Sequence, residues 1–120
     1  MGLKRKPPES YLPLKPAALQ LLLSLAASPK HGWAIMRDVA NSTEGKIELS
    51  AGTLYGLIRR LADQGLITES NERPPKHWDD ERRRYYELTK LGRGVAEAEL
   101  RRLAQLLAHA RTTDLVVNEV

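Results

Sequence analysis

The stretch GTLYGLIRRLADQGLI, Gly52 to Ile67, decides the fold, because it predicts a helix, the end of that helix and the start of a strand. Ser50 is suited as the N-cap, since its hydroxyl can accept from the free amides of the first turn. Gly65 is suited as the glycine that follows a helix. We therefore predict a helix from about Ala51 to Gln64. At about 3.6 residues per turn its apolar side is formed by Leu54, Leu57, Ile58 and Leu61.

The opposite side of this helix is unusual, because it carries two glycines one turn apart, Gly52 and Gly56, followed by Arg59. A glycine inside a helix costs about 0.5 to 1 kcal/mol relative to alanine. Close approach of the helix backbone to another surface would explain both. The residues alone leave a second interpretation open, in which the glycines are tolerated at the surface and Tyr55 packs against the first helix.

The patterns on either side predict the remaining core elements. Residues 14–27 are apolar on nearly every side and predict a central helix, and residues 32–42 predict a helix with one apolar face, ended by Gly45. Residues 46–49 alternate and predict a small edge strand. Leu66–Glu69 and Arg84–Leu88 predict two strands of a hairpin.

A last helix is predicted from Lys90 to Arg111, with Thr89 as its cap. Its apolar residues recur in steps of four and three, as in a helix that packs along a partner. This seam either folds back on its own core or forms a dimer, and we favour the dimer because the first helix already fills the core. The dimerisation residues predicted here are Ala96, Leu100, Leu103, Leu106, Leu107 and Ala110.

This order predicts a mostly α fold with a small β-hairpin, a winged helix-turn-helix plus a long C-terminal helix. We expect residues 1–11 to be a flexible basic arm and residues 12–89 to be the DNA-binding domain. Residues 90–111 would be the dimerisation helix, followed by a tail at 112–120.

Composition limits the function classes. The 120 residues suit one domain, and 19 Lys and Arg against 15 Asp and Glu give a net charge of +4, which suits nucleic acid if the charge is clustered. Without cysteine there is no disulfide or thiolate metal site. The longest apolar run, Ala17 to Ala27, is far short of the ~20 residues that span a bilayer. Gln20 and Ser24 interrupt this run and argue against a secretory signal, so we expect a soluble cytoplasmic protein.

The stretch DDERRRYYELT, residues 79–89, fuses a dense block of charge to a predicted strand. If the hairpin is a wing, Tyr86 and Leu88 face the core, while Arg83, Tyr85 and Glu87 face outward. The arginines then lie near the wing tip, along a phosphate backbone. The alternative is a solvated, salt-bridged loop, which is the better interpretation for any single charge. The role of the three acids, Asp79, Asp80 and Glu81, stays open.

In a helix-turn-helix the second helix of the motif enters the major groove with its N-terminal residues nearest the bases. The DNA-contacting residues predicted on this helix are Ser50, Gly52, Thr53, Tyr55, Gly56, Arg59 and Arg60. Those predicted in the wing are Arg73, Lys76, Arg82, Arg83, Arg84 and Tyr85.

GTLYGLIRRLADQGLI followed by RRRYYELTKLGR, Arg82 to Arg93, closely resembles the PadR family of bacterial transcriptional regulators, and HGWAIMRDV, His31 to Val39, looks like a helix start of that family. The resemblance implies a homodimeric repressor that binds a pseudo-palindromic operator and is released by a small molecule. It places DNA contacts at Gly52 to Tyr55 and at Arg82 to Tyr86. Many members have proline after GTLY, where this chain has Gly56. The single last helix resembles the small-bodied branch of the family, whose last helix dimerises.

Nothing in the sequence predicts catalysis, a metal or a cofactor. His31, His77 and His109 are scattered without metal-ligand spacing, and no phosphate-binding glycine loop is present. Trp33 and Met36 are candidates for an effector pocket, although an aromatic residue and a methionine at this spacing more often belong to the core.

Two function classes follow. The leading hypothesis is a homodimeric, ligand-responsive regulator of transcription whose partners are double-stranded DNA, a second copy of itself and a small-molecule effector, with no membrane. The alternative is a winged-helix module that binds an acidic protein and has no sequence-specific role on DNA.

Overall fold

In a computed structural model of the chain, residues 6–72 and 83–115 are described. A short 3-10 helix, Pro8–Tyr11, precedes the other elements. These are, in chain order, helix α1 (Pro16–Ala27), strand β1 (Lys30–His31), helix α2 (Gly32–Ser42), helix α3 (Ala51–Asp63), strand β2 (Ile67–Glu69), strand β3 (Tyr85–Leu88) and helix α4 (Lys90–Ala110). The predicted fold class is confirmed: a mostly α winged helix-turn-helix with a long C-terminal helix.

The sheet has three antiparallel strands in the order β1-β3-β2. In the hairpin, Ile67 pairs with Leu88 and Glu69 with Tyr86. On the other edge of β3, Lys30 pairs with Tyr86 and His31 with Tyr85. The start of α2 is thereby tied to the wing.

The prediction of an edge strand at residues 46–49 is wrong, since the third strand is β1. Ile47 donates its backbone N–H to the Thr43 hydroxyl at 3.0 Å, which holds this segment against the end of α2. Ile47 and Leu49 alternate with polar residues because both apolar side chains pack against the core. β1 has only two residues, which is too short for an alternating pattern.

The core is built around α1, as the sequence predicted. Leu21 and Leu22 are fully buried, and the apolar side of α3 is buried with them. The cluster contains Ala18, Leu21, Leu22, Leu25, Ile35, Val39, Leu54, Leu57, Ile58, Leu61, Leu66, Ile67, Val95 and Ala96. Burial of the apolar side fixes which face of α3 is left to solvent.

Both ends of α3 follow from single residues. The Ser50 hydroxyl accepts from the Thr53 amide at 3.2 Å, which confirms the predicted N-cap. Gly65 has φ +80°, a left-handed conformation that glycine adopts without steric cost. Its amide donates to Ala62, and the Leu66 amide donates to Leu61, both at 2.9 Å. This is the Schellman pattern of helix ends.

Hydrogen bonds of Thr89 connect the first turn of α4 to the turn after α3. The Thr89 hydroxyl donates to the Gly65 carbonyl at 2.6 Å and accepts from the Gly92 amide at 2.9 Å. A β-carbon at Gly92 would lie 1.8 Å from the Leu66 carbonyl oxygen. The close contact at Gly92, which the sequence did not predict, lets α4 start directly behind the hairpin.

The segment before α1 is partly ordered on α4, whereas the sequence predicted a flexible arm for residues 1–11. Pro8–Tyr11 is helical, and Tyr11 packs against the core. The Leu14 amide donates to Glu99 at 2.7 Å, and Arg102 donates to the same carboxylate at 2.5 Å. Glu99 is 1% exposed, so this carboxylate is a buried connection that sequence analysis missed. Residues 1–5 and 116–120, parts of the predicted arm and tail, lie outside the described residues.

α2 ends at Ser42, as predicted, and two residues with positive φ follow it. Glu44 has φ +54° and occupies the first left-handed position, ahead of Gly45 at φ +78°. The Gly45 amide donates to the Ala40 carbonyl at 2.8 Å and closes the helix.

A polar cluster connects α1, β1 and α2. Lys30 lies 2.6 Å from the Asp38 carboxylate and donates to the Ser24 carbonyl at 2.5 Å, while the Ser24 hydroxyl donates to Asp38 at 2.8 Å. Burial disfavours the charged form of Asp38, but the hydrogen bonds from Lys30 and Ser24 outweigh it, so the pKa of Asp38 is lowered. The cluster joins the middle of α2 to α1 and β1.

Candidate nucleic-acid interface

The solvent face of α3 is open around its two glycines. A β-carbon at Gly52 or at Gly56 would meet no atom of the described residues within 4 Å. Packing within this part of the chain therefore does not explain either glycine. Alanine would fit at both positions.

The predicted polar contacts of α3 share this open face. Ser50, Thr53, Arg59 and Arg60 are all exposed. Besides capping the helix, the Ser50 hydroxyl donates to the Thr53 hydroxyl at 3.0 Å. The N-terminal turn of α3 thus presents hydroxyl groups and bare backbone, with guanidinium groups one to two turns further on.

The side chain of Tyr55 extends from α3 to the start of α2. Its side chain is 49% exposed, and its hydroxyl oxygen lies 2.6 Å from the place of a β-carbon at Gly32. The interpretation that Tyr55 packs against the first helix is therefore wrong. The ring packs against the N-terminus of α2, and its outer part is exposed to solvent.

His31 connects α2 to the wing. Its Nδ1 lies 3.3 Å from the Ala34 amide that it caps, and its Nε2 lies 3.3 Å from Nη1 of Arg83. A neutral imidazole has one acceptor nitrogen, so the ring accepts from one of these donors at a time. Burial, then the charges of Arg83 and Arg37, lower the pKa of His31. The charged form of the histidine is therefore disfavoured beside Arg83 and Arg37.

Tyr85 is buried, so the prediction that it is exposed on the outer side of the wing is wrong. It is 7% exposed, and the His31 ring meets its ring edge-on at 5.4 Å. Tyr86 and Leu88 pack against the core as predicted. Alternation along β3 is kept, since Tyr85 is outside the core cluster that Tyr86 and Leu88 pack against, but β1 pairs with β3 and brings His31 over Tyr85. Tyr85 supports the wing and is no longer a candidate contact for DNA.

Two of the predicted wing cations are placed by the structure, Arg83 and Arg84, and both are exposed. Arg73, Lys76 and Arg82 lie outside the described residues, as do the acids at positions 79–81. Neither Arg83 nor Arg84 forms an ion pair with a carboxylate of the described segments.

A groove of about 340 Å³ separates the start of α2, α3 and the wing. Its walls are His31, Gly32, Trp33, Tyr55, Arg83 and Arg84, with Tyr86 below. The predicted contacts Tyr55, Arg83 and Arg84 are thus brought together. Sequence analysis missed His31, Gly32 and Trp33 as part of this surface. The one signal was HGW at the start of a predicted helix.

The two candidate effector residues share a second, shallow cavity. It has a volume of about 290 Å³ and is lined by Trp33, Met36, Arg37, Ala40, Glu48 and Leu49. Met36 is partly buried against the core, whereas Trp33 is 60% exposed. The Arg37 guanidinium carbon lies 5.0 Å from the centre of the Trp33 ring, a cation–π arrangement that restrains the indole.

The second half of α4 presents uncovered leucines. Leu100 is 44% and Leu106 is 53% exposed, and Leu103, Leu107 and Ala110 are partly exposed. Ala96 differs, since it is 6% exposed and belongs to the core cluster of its own chain. Its prediction as an interface residue is corrected accordingly.

Within residues 6–72 and 83–115, no group of three or more His, Cys, Asp and Glu side chains is arranged to hold a metal ion. In the same residues no helix is both long and apolar enough to cross a bilayer.

Comparison with solved structures identifies proteins of the same fold. A transcriptional regulator from Clostridium thermocellum is 18% identical, with a TM-score of 0.64 and coverage of 89% of this chain and 93% of that one. A PadR family transcription regulator from Clostridium difficile is also 18% identical, with a TM-score of 0.63 and coverage of 80% and 95%. A probable transcriptional regulator from Pseudomonas aeruginosa is 27% identical, with a TM-score of 0.63 and coverage of 87% and 68%. No curated protein matches the sequence.

The family model of the PadR-like transcriptional regulators matches residues 21–98, well over half of the chain. The matched span runs from α1 into α4 and includes the face of α3 and the wing described above. Members of this family regulate transcription, which confirms that the chain is not an enzyme. The chain belongs to the PadR-like family of transcriptional regulators.

Proposed function

We propose that the protein is a sequence-specific DNA-binding repressor that acts in the cytoplasm as a homodimer on a pseudo-palindromic operator. The observation that carries the proposal is the open face of α3, where Gly52 and Gly56 have no packing partner among the described residues. An α-helix fits the major groove, and a glycine lets its backbone approach the bases more closely than any other residue would.

The residues on either side of this face support the same partner. Thr53 can contact a thymine methyl or a phosphate, and Arg59 can reach a guanine. Arg83 and Arg84 are exposed beside α3 and suit a phosphate backbone. We assign DNA contact to Ser50, Gly52, Thr53, Tyr55, Gly56, Arg59 and Arg60 on α3, and to Arg73, Lys76, Arg82, Arg83 and Arg84 in the wing.

The homodimer is supported by the leucines of α4. Leu100 and Leu106 are about half exposed and lie on one side of the helix with Leu103 and Leu107. Apolar side chains in such a row are stabilised when a second helix covers them. We propose that residues 12–89 form the DNA-binding domain and that α4 dimerises, with the interface at Leu100, Leu103, Leu106, Leu107 and Ala110.

The response to a ligand is proposed at the cavity beside Trp33 and Met36. Trp33 lines both this cavity and the groove next to α3. A small molecule that moves the indole would therefore alter the DNA-facing surface directly.

The first experiment is a selection of genomic fragments with the purified protein, followed by titration of the best fragment at several salt concentrations. We expect an inverted repeat with half-sites about one helical turn apart, bound more weakly as salt rises. Weak and equal binding of every fragment would leave only a basic surface. The alternative, a module that binds an acidic protein, would then take precedence.

A further inference from the structure

We propose that the groove between the start of α2, α3 and the wing is a binding site for one phosphodiester of the DNA backbone, with Trp33 as its outer wall. The inference rests on the proposed DNA-binding function and adds α2 to the contacting elements. It gives Trp33 a role in DNA binding that is separate from the candidate effector cavity.

The charge of the groove favours an anion. Arg83 and Arg84 lie on its wing side, and Arg37 stacks on the Trp33 ring at its edge. Among residues 6–72 and 83–115, no carboxylate lines the groove. Glu69, which pairs with Tyr86 across the sheet, is not part of the lining. The positive field of Arg83 and Arg37 also acts on His31, whose pKa it lowers together with burial.

The donors in the groove match a phosphate and its sugar. Two guanidinium groups can bind phosphate oxygens in a bidentate manner. The Tyr55 hydroxyl and the indole N–H of Trp33 add two neutral donors. The 60% exposed indole also offers an apolar face on which a deoxyribose can lie. The groove opens at the N-terminus of α2, where the helix dipole adds to the attraction.

The position of the groove indicates that its occupant is the DNA backbone. Tyr55 forms its wall and is followed directly by Gly56 on the open face of α3. A duplex seated on that face has its backbone beside the helix, where α2 and the wing converge. At about 340 Å³ the groove has room for a phosphate and part of its sugar.

The test uses Trp33 as its own reporter. Trp33 and Trp78 are the two tryptophans of the chain, so Trp78→Phe leaves Trp33 as the single tryptophan, whose emission is selected by excitation at the red edge of the absorption band. We expect its fluorescence to change on addition of the selected duplex, with the midpoint that anisotropy of labelled duplex gives, and to recover in high salt. An unchanged signal while anisotropy reports binding overturns the groove assignment but leaves the DNA-binding function intact. If neither fluorescence nor anisotropy reports binding of any duplex, both the groove assignment and the proposed DNA-binding function are excluded.

Neutral methylphosphonate linkages locate the phosphate. We expect one linkage in each half-site to weaken binding of the parent about tenfold, as loss of a hydrogen bond to a charged group does. In Arg84→Ala the same linkage weakens binding less than in the parent, whereas Arg101→Ala, which removes an exposed guanidinium from α4, keeps the full loss. Equal losses at that linkage in the parent and in Arg84→Ala contradict the proposal.

Two further titrations separate the sources of the anion. Inorganic phosphate is expected to leave Trp33 emission unchanged at concentrations far above those of the duplex, and an equal response to it would indicate a free-anion site. Polyglutamate is expected to be equally inactive. A midpoint for polyglutamate matching that of the duplex would assign the groove to an acidic protein instead.

Discussion

The hydroxyl of Tyr55 lies directly over Gly32, 2.6 Å from the point where a β-carbon would be. The start of α2 and the N-terminal turn of α3 are therefore in contact through one phenol and one missing side chain. Any larger residue at position 32 must displace the ring or the helix.

Gly32→Ala is expected to move Tyr55 outward and to weaken DNA binding about tenfold. The cost to stability should be about 1 to 3 kcal/mol, as for an extra methyl group in a packed site. Urea unfolding and DNA anisotropy measure the two effects. In Tyr55→Ala the clashes with the hydroxyl oxygen at 2.6 Å and with Cζ at 2.9 Å are both absent, so adding Gly32→Ala to that variant should cost less. An equal cost in both backgrounds would contradict this contact.

Gly52→Ala and Gly56→Ala are each expected to stabilise the free protein by about 0.5 to 1 kcal/mol, because alanine is the better helix former. DNA affinity should fall nonetheless, since a methyl group would hold the helix away from the bases. Gly92→Ala is the matched control, because a β-carbon there would lie 1.8 Å from the Leu66 carbonyl and should destabilise the fold. Alanine variants at 52 and 56 that bind as tightly as the parent would exclude close backbone approach.

Arg59→Ala and Arg83→Ala should change DNA binding in different ways. Loss of a base contact from Arg59 is expected to cost about 1 to 3 kcal/mol and to relax specificity at one position. Loss of a phosphate contact from Arg83 should weaken all sequences alike and lower the slope of log K against log salt by about 1. If both variants bound DNA like the parent, the proposed surface would be incorrect.

Leu106→Asp and Leu103→Asp are expected to give monomers in sedimentation experiments, because a carboxylate in the row of leucines is costly to bury between helices. Leu106 is 53% exposed within its own chain, so this variant should keep its fold. Gln105→Asp places the same charge on the opposite side of α4 and should remain dimeric. A dimer that survives both leucine variants would remove α4 from the interface.

Stability at acid pH should depend on Glu99. The hydrogen bond from Arg102 outweighs the effect of burial and, with the Leu14 amide, lowers the pKa of this carboxyl in the folded chain. The contribution is therefore complete above the unfolded pKa of about 4.3 and is lost as the pH falls through the folded value. Glu99→Gln should be less stable at neutral pH and less sensitive to acid in urea titrations. Glu97→Gln, an exposed change on the same helix, should keep the parent profile.

The elements with complete local signals were predicted from sequence. Ser50 and Gly65 marked both ends of α3, and the spacing of its leucines identified the buried side. The start of α4 was equally clear, since Thr89 caps it. The residues of the GTLY segment and the RRYYELT segment also pointed to the family whose model matches residues 21–98. Periodicity and capping act within a few residues, so one sequence suffices for them.

The features that the sequence did not predict depend on tertiary structure. β1 is too short for a pattern, yet its pairing with β3 places His31 over Tyr85 and buries a residue predicted to face outward. The Glu99 connection to Leu14 joins residues 85 positions apart. The groove likewise requires α2, α3 and the wing to meet. Such contacts depend on how elements pack at long range, and no local period or cap in the chain encodes them.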